Sequence, residues 1–195
     1  FITGEAGIGK TALVNTFLQE VGHRNPVLLG MCDSLFTPRP LGPLYDISLQ
    51  LGEDFRALLG SEPDKSIIFT HFIQQLNQLN GPAILVFEDI HWADAATLDL
   101  IKFLGRRINR LPCMFVLTCR DRELNREMPL PVLIADLPPD HYTRLSLEPL
   151  SEKAVDRLAQ QAGYSGQEVY QLTRGNPFFV REILADYSLG IPETV

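Results

Sequence analysis

The sequence is poor in cysteine and lacks a long apolar run. Its three cysteines, Cys32, Cys113 and Cys119, are odd in number and show no C-x-x-C spacing, which argues against a disulfide framework and against a cysteine zinc site. The longest purely apolar run, Ala83 to Phe87, falls far short of the roughly 18 to 20 residues that span a membrane. No charged-then-apolar signal segment is present. We therefore expect reduced thiols, no membrane insertion and a cytoplasmic location.

Positive charge is also scarce. The chain carries 17 Lys and Arg against 24 Asp and Glu, a formal net charge of −7, whereas proteins that grip a nucleic-acid backbone need a basic surface. We expect DNA, if it is involved, to be contacted by a domain outside this chain. With 195 residues, 45% of them hydrophobic and 21% charged, the chain is long enough for one globular core and a small appended subdomain.

The chain opens with FITGEAGIGKT, and its octet from Gly4 to Thr11 fits G-x-x-x-x-G-K-[ST]. In such a loop the backbone N–H groups face phosphate oxygens, the lysine neutralises the outer phosphates and the hydroxyl reaches Mg²⁺. A glycine-rich turn that only caps a helix is the competing interpretation. We assign nucleotide binding to Gly4, Glu5, Ala6, Gly7, Ile8, Gly9, Lys10, Thr11 and Ala12.

Extended and helical patterns alternate along residues 1 to 150. Short extended patterns predict strands at 1–3, 27–31, 83–87, 114–117 and 144–147, of which 83–87 is a continuous apolar run. Apolar residues at helical spacing predict helices over about 13–21, 68–79 and 98–110. Three prolines in the stretch 37–43 predict no regular helix there. This alternation predicts an α/β three-layer sandwich around a parallel sheet.

After Pro149 the pattern is helical only. Ser151 is the predicted N-cap of the first helix, and two more are expected over about 166–174 and 177–187. We predict a core domain at 1–150 and an incomplete helical lid at 151–195. Three residues are short for the strand before a phosphate loop, and the end at Val195 shows no clear terminal cap or tail. We therefore expect the domain to be truncated at both ends.

An acid pair follows the central strand. Phosphoryl transfer to water needs a carboxylate for Mg²⁺ and a group that orients the attacking water, and ligands of such sheets bind beyond the carboxyl ends of the strands. We assign Glu88 to Mg²⁺ and Asp89 to the water. The two roles could be exchanged, and solvated acids in a loop are the competing interpretation.

Two further motifs flank this acid pair. Asp94, in HWAD, is predicted to cap a helix that ends near Arg110, and Trp92 is predicted to pack. The strand after that helix leads into Arg120, whose forked guanidinium suits a γ-phosphate. The alternative for Arg120 is a surface pair with Asp121 or Glu123. Gly175-Asn176-Pro177 is predicted to join two helices, with glycine ending the first, asparagine capping the second and Pro177 opening it.

Together, these motifs make the sequence similar to the STAND branch of the AAA+ P-loop NTPases, and specifically to the ATPase region of large bacterial LuxR-type transcriptional regulators. The matching stretches, in chain order, are GEAGIGKT, LFTPRPLGPLYDI, ILVFEDIHWAD, VLTCRD, LEPLSEKAVDRLA and LTRGNPFFVREIL. They span nearly the whole chain, and the combination of PRPLGPL, HWAD and GNPFFV is more specific than the phosphate loop and acid pair.

The resemblance implies roles for individual residues. It implies that Arg120 senses phosphate, so that Lys10, Asp89 and Arg120 form the predicted catalytic set. It also implies that Pro177 packs near adenine. It also implies ATP, ADP and Mg²⁺ as ligands, an ADP-bound resting form, self-association with ATP, and a helix-turn-helix domain outside the chain. Two residues depart from the family pattern: Glu88 stands where aspartate is usual, which leads us to expect slow turnover, and Arg174 stands where glycine is common.

The leading function is therefore an ATP-binding, slowly hydrolysing switch of a transcriptional regulator. Regulation of an adenylate cyclase or protein kinase domain, or DNA loading of the origin-recognition kind, are the alternatives. A metabolic P-loop kinase would need a lid rich in arginine, and a GTPase would need the [NT]-K-x-D signature; the sequence has neither. The residues considered for a trans-acting arginine finger are Arg106, Arg107, Arg122 and Arg126.

Overall fold

The computed structural model of the chain describes residues 1–34, 39–61, 63–121, 137 and 139–186. These residues divide into two compact units. We call Phe1–Thr3 with Thr11–Leu145 the core unit, and Gly4–Lys10 with the segment from Ser146 onward the lid unit. The phosphate loop thus groups with the C-terminal helices. A domain boundary near residue 150 stays a prediction.

The sheet has five strands in the order β2-β3-β4-β1-β5. They are β1 (Ile2–Thr3), β2 (Val27–Met31), β3 (Ala83–Glu88), β4 (Cys113–Cys119) and β5 (Leu145–Ser146). Parallel pairing joins β2 to β3, β3 to β4 and β4 to β1, and Leu145 N–H donates to Phe1 O over 2.7 Å at the β5 edge. The predicted parallel sheet is confirmed. Because β4 lies between β1 and β3, its carboxyl end stands between the loop-bearing strand and the acid-bearing strand.

Five α-helices of the described chain precede β5. They are α1 (Lys10–Val21), α2 (Gly42–Leu51), α3 (Glu53–Gly60), α4 (Lys65–Gln78) and α5 (Ala95–Gly105). Short 3₁₀ turns lie at Ile90–Trp92, Ile108–Arg110 and Pro139–His141.

Two sequence-based expectations about these helices need correction. The proline-rich stretch is non-helical at residues 39–41, but its last two residues open α2, because Pro43 occupies the first turn, where a missing N–H costs nothing. The helix predicted to end near Arg110 instead ends at Gly105, and a separate 3₁₀ turn carries the chain on to β4.

The core lies on both faces of the sheet. All six residues of β3 are buried. Leu85 and Phe87 pack in the cluster built with α2 to α5, whereas Ile84 and Val86 pack with Val14 of α1. Alternate residues of a strand point to opposite faces, so a strand buried throughout must be covered on both sides. The predicted three-layer arrangement is confirmed.

The part of the lid unit that the structure describes contains three helices with their own apolar cluster. They are α6 (Glu152–Gln161), α7 (Gly166–Thr173) and α8 (Pro177–Asp186). Ser151 caps α6, as predicted, by accepting from Ala154 N–H over 3.3 Å. Val155, Ala159, Val169 and Val180 form the buried cluster.

Cys32, Cys113 and Cys119 form no disulfide bond in the described residues. Burial is the main cause that raises the pKa of Cys32 to about 12, with Asp94 and Asp89 adding to the effect. Burial also raises the pKa of Cys113 to about 11. Across the described segments, no helix has both the length and the apolar character that crossing a bilayer requires.

Candidate functional site

The phosphate loop joins β1 to α1. Gly7 and Gly9 have φ angles of 75° and 99°, a region in which a residue with a Cβ is strained, so the loop depends on glycine at both positions. Ile8 is buried within it, and Glu5 and Ala6 are exposed. Because the loop ends where α1 begins, it leads into unpaired helical N–H groups and the positive end of a helix dipole. Such an arrangement favours an anion.

Lys10 lies across this loop. Lys10 is 7% exposed, and its Nζ donates to Gly4 O over 3.1 Å and to Glu5 O over 2.9 Å. The ammonium group is therefore held against the loop backbone. An anion bound by the loop amides would meet a fixed positive charge.

Thr11 and Glu88 meet in the core unit although 77 residues separate them in the sequence. Thr11 Oγ1 donates to Glu88 Oε2 over 2.7 Å, and Glu88 is 3% exposed. A hydroxyl beside a carboxylate is an oxygen donor set that suits Mg²⁺. In the described residues no group of three or more His, Cys, Asp or Glu could hold a metal. The pair fits an ion that takes its remaining ligands from phosphate and water.

Asp89 follows β3 in a left-handed conformation, with φ 53° and ψ 45°. This conformation costs an aspartate of the order of 1 kcal/mol or more, and such strain is common at functional sites. The Asp89 N–H donates to Thr118 Oγ1 on β4 over 2.8 Å, and its carboxylate oxygen lies 3.8 Å from Nδ1 of His91. Its side chain is 39% exposed. The turn thus separates an exposed carboxylate from the buried one that precedes it.

Neither Thr118 nor His91 was predicted from the sequence as a site residue. Thr118, on β4, precedes Arg120 by two residues in VLTCRD, and that spacing at the end of the strand was the available signal.

Arg120 directly follows β4 and is half-buried. Its guanidinium carbon lies 5.8 Å from the centre of the Trp92 ring. Asp121, one predicted alternative partner, pairs with Arg144 over 3.1 Å; the other, Glu123, lies outside the described residues. Trp92 is 40% exposed, so it is less buried than the predicted packing role implies.

Asp94 is an N-cap, as predicted, and also a tie to the proline-rich segment. One carboxylate oxygen accepts from Ala96 N–H over 2.8 Å and Thr97 N–H over 3.1 Å. The other accepts from Leu41 N–H over 3.1 Å, where Leu41 is left-handed with φ 58°. The carboxylate therefore joins two of the motifs that carry the sequence resemblance.

In the lid unit, Gly175-Asn176-Pro177 forms the predicted joint between α7 and α8. Gly175 has φ 79° after the end of α7, Asn176 Oδ1 accepts from Phe178 N–H over 3.1 Å, and Pro177 opens α8. Arg174 is also left-handed, with φ 49°.

Comparison with known proteins gives the family of the chain. The family described as "AAA ATPase domain" matches residues 1–117, which hold the phosphate loop and the acid pair. The chain belongs to this AAA ATPase family.

Solved structures share the fold of this AAA ATPase domain. The Holliday junction branch migration motor RuvB of Thermotoga maritima superposes with a TM-score of 0.54 at 16% identity, covering 94% of this chain and 52% of that one. The ORC1 protein of Aeropyrum pernix, solved in complex with DNA, superposes with a TM-score of 0.61 at 15% identity, covering 100% of this chain and 55% of that one. At these identities the likeness concerns the fold alone.

A curated relative is much longer than the AAA ATPase domain described here. An uncharacterized protein of Rhizobium meliloti (strain 1021) is 26% identical over 212 residues, covering 100% of this chain but 18% of that protein. The chain therefore spans less than a fifth of this relative and about half of the similar structures.

The arginines considered for an arginine finger divide into two pairs. Arg106 and Arg107 follow α5, which runs from the carboxyl end of β3 back toward the amino end of β4, so they stand at the sheet edge away from the acid pair. The guanidinium of Arg107 stacks on Phe103, 3.8 Å from the ring centre. Arg122 and Arg126 lie outside the described residues.

Proposed function

We propose that this domain is an ATP-binding and slowly ATP-hydrolysing switch of a cytoplasmic LuxR-type transcriptional regulator. The ATPase part rests on the 2.7 Å hydrogen bond between Thr11 and Glu88. Thr11 is the last residue of the phosphate-loop motif and Glu88 is the first of the acid pair, so this bond brings together the two proposed ligands of Mg²⁺. The LuxR part rests on the resemblance of the motifs. The length of the Rhizobium relative leaves room for further domains in such a protein.

In this proposal the phosphate loop binds the nucleotide. Amides of Gly4 to Gly9 and of Thr11 and Ala12 face its phosphates, Lys10 neutralises the outer ones, and Pro177 packs near adenine. Thr11 and Glu88 would hold Mg²⁺, which, when bound, neutralises charge on the β- and γ-phosphates. The contact between Thr11 and Glu88 supports giving the metal to Glu88 rather than to Asp89.

Hydrolysis uses the second acid. Asp89 accepts a hydrogen bond from a water and orients it toward the γ-phosphorus; a P–O bond forms to that water while the bond to the ADP oxygen breaks, releasing ADP and phosphate. The partly exposed carboxylate of Asp89 supports this role, since a water must reach it. Arg120 pairs with the γ-phosphate oxygens and so distinguishes ATP from ADP.

Lys10→Ala tests nucleotide binding. Removing a charge-assisted contact to phosphate should weaken ATP binding by at least about tenfold in calorimetry. Lys65→Ala is the matched control, because Lys65 is an exposed lysine whose partner is Asp99. Equal ATP affinity of the wild type and Lys10→Ala would refute the proposed site.

The switch is tested on the full-length protein. Sedimentation should show self-association with ATP and a smaller species with ADP, and Lys10→Ala should abolish the difference. The same sedimentation state with both nucleotides would refute the switch and leave the ATPase assignment standing.

DNA loading of the origin-recognition kind is the second candidate, favoured by the fold likeness to the ORC1 structure. The net charge of −7 opposes it, because binding to a DNA backbone requires many basic contacts. Fluorescence anisotropy of this domain with duplex DNA at low salt separates the two. Tight binding of the DNA that weakens steeply with salt would favour the DNA-loading function. We expect no binding of the DNA. Regulation of a cyclase or kinase domain is distinguished by the flanking domains of the full-length protein.

A further inference from the structure

Two hydrogen bonds within the lid unit join the start of α8 to the phosphate loop. Asn176 Nδ2 donates to Ala6 O over 3.0 Å, and Phe178 N–H donates to Gly7 O over 3.2 Å. The accepting carbonyls belong to consecutive loop residues. In a trans peptide the C=O and the following N–H point in opposite directions. The bond from Asn176 to Ala6 O therefore turns the N–H of Gly7 away from α8, and the bond to Gly7 O does the same for Ile8.

The direction of these amides matters because the loop binds phosphate through its backbone. A loop amide contributes only when its N–H points at the anion. Holding carbonyls away from an anion site also removes their repulsion of phosphate oxygens. The side chain of Asn176 thus acts on the groups that the proposed function assigns to phosphate, without itself being placed on the nucleotide.

Asn176 is rigidly held. It is 8% exposed, and it follows Gly175, whose N–H donates to Thr173 Oγ1 over 3.2 Å and whose carbonyl accepts from Leu150 N–H over 2.8 Å. A Cβ on Gly175 would lie 2.1 Å from Leu150 O, so only glycine allows this close approach. The amide side chain therefore reaches the loop from a fixed turn.

The asparagine uses both ends of its amide. Its oxygen caps α8 at Phe178 N–H over 3.1 Å, while its nitrogen serves Ala6 O. Serine or aspartate caps a helix as well as asparagine does, but neither supplies the same second donor. The contact is also close-packed, because a Cβ on Gly7 would lie 2.7 Å from Cβ of Phe178.

We propose that Asn176 is a positioning residue for phosphate binding, which fixes the amides of the loop through Ala6 O while it caps α8. This inference rests on the proposed nucleotide site. It gives the asparagine of Gly175-Asn176-Pro177 a role distinct from that of the neighbouring proline.

Asn176→Ser separates the two uses of the side chain. Serine preserves an uncharged N-cap and is too short to span the distance to Ala6 O. We expect ADP and ATP to bind about fivefold more weakly in calorimetry, the effect of one hydrogen bond of ordinary net strength. We also expect KM for ATP to rise with kcat unchanged, and the thermal midpoint of the nucleotide-free protein to fall by no more than about 2–4 °C.

Ser151→Ala is the matched control. It removes a cap of the same lid unit, at α6, where Ser151 accepts from Ala154 N–H. It should lower the thermal midpoint and leave both nucleotide affinities unchanged. Equal affinities of the wild type and Asn176→Ser for ADP and ATP would overturn the inference, while a wild type that binds neither nucleotide would overturn the proposed function.

Hydrogen exchange of the nucleotide-free protein gives a test that needs no ligand. Amides in the peptide covering residues 4–10 should exchange faster in Asn176→Ser than in the wild type, and at the wild-type rate in Ser151→Ala. Unchanged exchange in Asn176→Ser would refute the claim that this side chain fixes the loop, whatever the nucleotide measurements show.

Discussion

Replacing Thr11 by valine tests the contact that joins the phosphate-loop motif to the acid pair. Valine keeps the branched shape of the side chain in the first turn of α1 and removes only the hydroxyl. That hydroxyl donates to Glu88 over 2.7 Å, and Glu88 is 3% exposed. The substitution therefore takes a donor from a buried carboxylate and, in the proposed site, one ligand from Mg²⁺.

The expected magnitudes follow from these two losses. A hydrogen bond to a charged group contributes roughly 1.5–3 kcal/mol, so Thr11→Val should lower the free energy of unfolding of the nucleotide-free protein by about 2 kcal/mol. In a protein of this size that corresponds to a melting temperature lower by about 4–8 °C. ATP affinity should fall about tenfold with Mg²⁺ present and by less than about twofold with Mg²⁺ chelated.

Thermal unfolding and calorimetric titration, with Mg²⁺ and with EDTA, measure both effects. A double-mutant cycle with Glu88→Gln should give a coupling energy of about 1–3 kcal/mol. Thr16→Val is the control, because Thr16 lies on the same helix and donates to Ala12 O at an exposed position. Additive effects of Thr11→Val and Glu88→Gln, with the magnesium dependence intact, would refute the reasoning.

The other predictions concern the water-orienting acid, the core, the Asp94 tie and the thiols. Asp89→Asn should slow ATP hydrolysis while ATP stays bound; undiminished turnover would show that the carboxylate was misassigned. Phe87→Ala, at a fully buried ring, should lower the free energy of unfolding by about 3–5 kcal/mol, and a loss under about 1 kcal/mol would contradict the packing. Asp94→Ala should cost about 2–4 kcal/mol, since it removes a cap and orphans Leu41 N–H; an unchanged melting temperature would contradict that tie. At pH 8 a thiol with a pKa of about 12 is ionised to about one part in ten thousand, so iodoacetamide should modify Cys32 rapidly only after unfolding; rapid modification of the folded protein would refute this.

The sequence predicted the parts of the fold that local patterns encode. Ala83 to Phe87 was predicted to be a strand with both faces buried, because every residue of the run is apolar and neither face is suited to contact with water. Ser151, Asp94 and the Gly175-Asn176-Pro177 joint were recognised from the chemistry of helix ends, which depends on neighbouring residues only.

Two helices differ from the sequence-based expectation because tertiary packing overrode a local rule. The stretch 37–43 was expected to hold no regular helix, but α2 begins within it, with Pro43 in the first turn. A proline is tolerated in the first turn of a helix, and Leu44 and Ile47 stabilise α2 by packing into the core. Ile108 continued the apolar spacing of α5, yet the chain ends that helix at Gly105 and turns toward β4.

The sequence by itself determined the AAA ATPase family, the loop glycines, the acid pair and the alternation of strands and helices, because each is encoded in contiguous residues. Only the tertiary structure decided which distant groups meet: Thr11 with Glu88, Thr118 with the backbone of Asp89, and Asn176 with Ala6. These contacts depend on the order of the strands in the sheet and on the path of the turns. Both are set by the burial of the whole apolar core, a property that no short stretch of sequence contains.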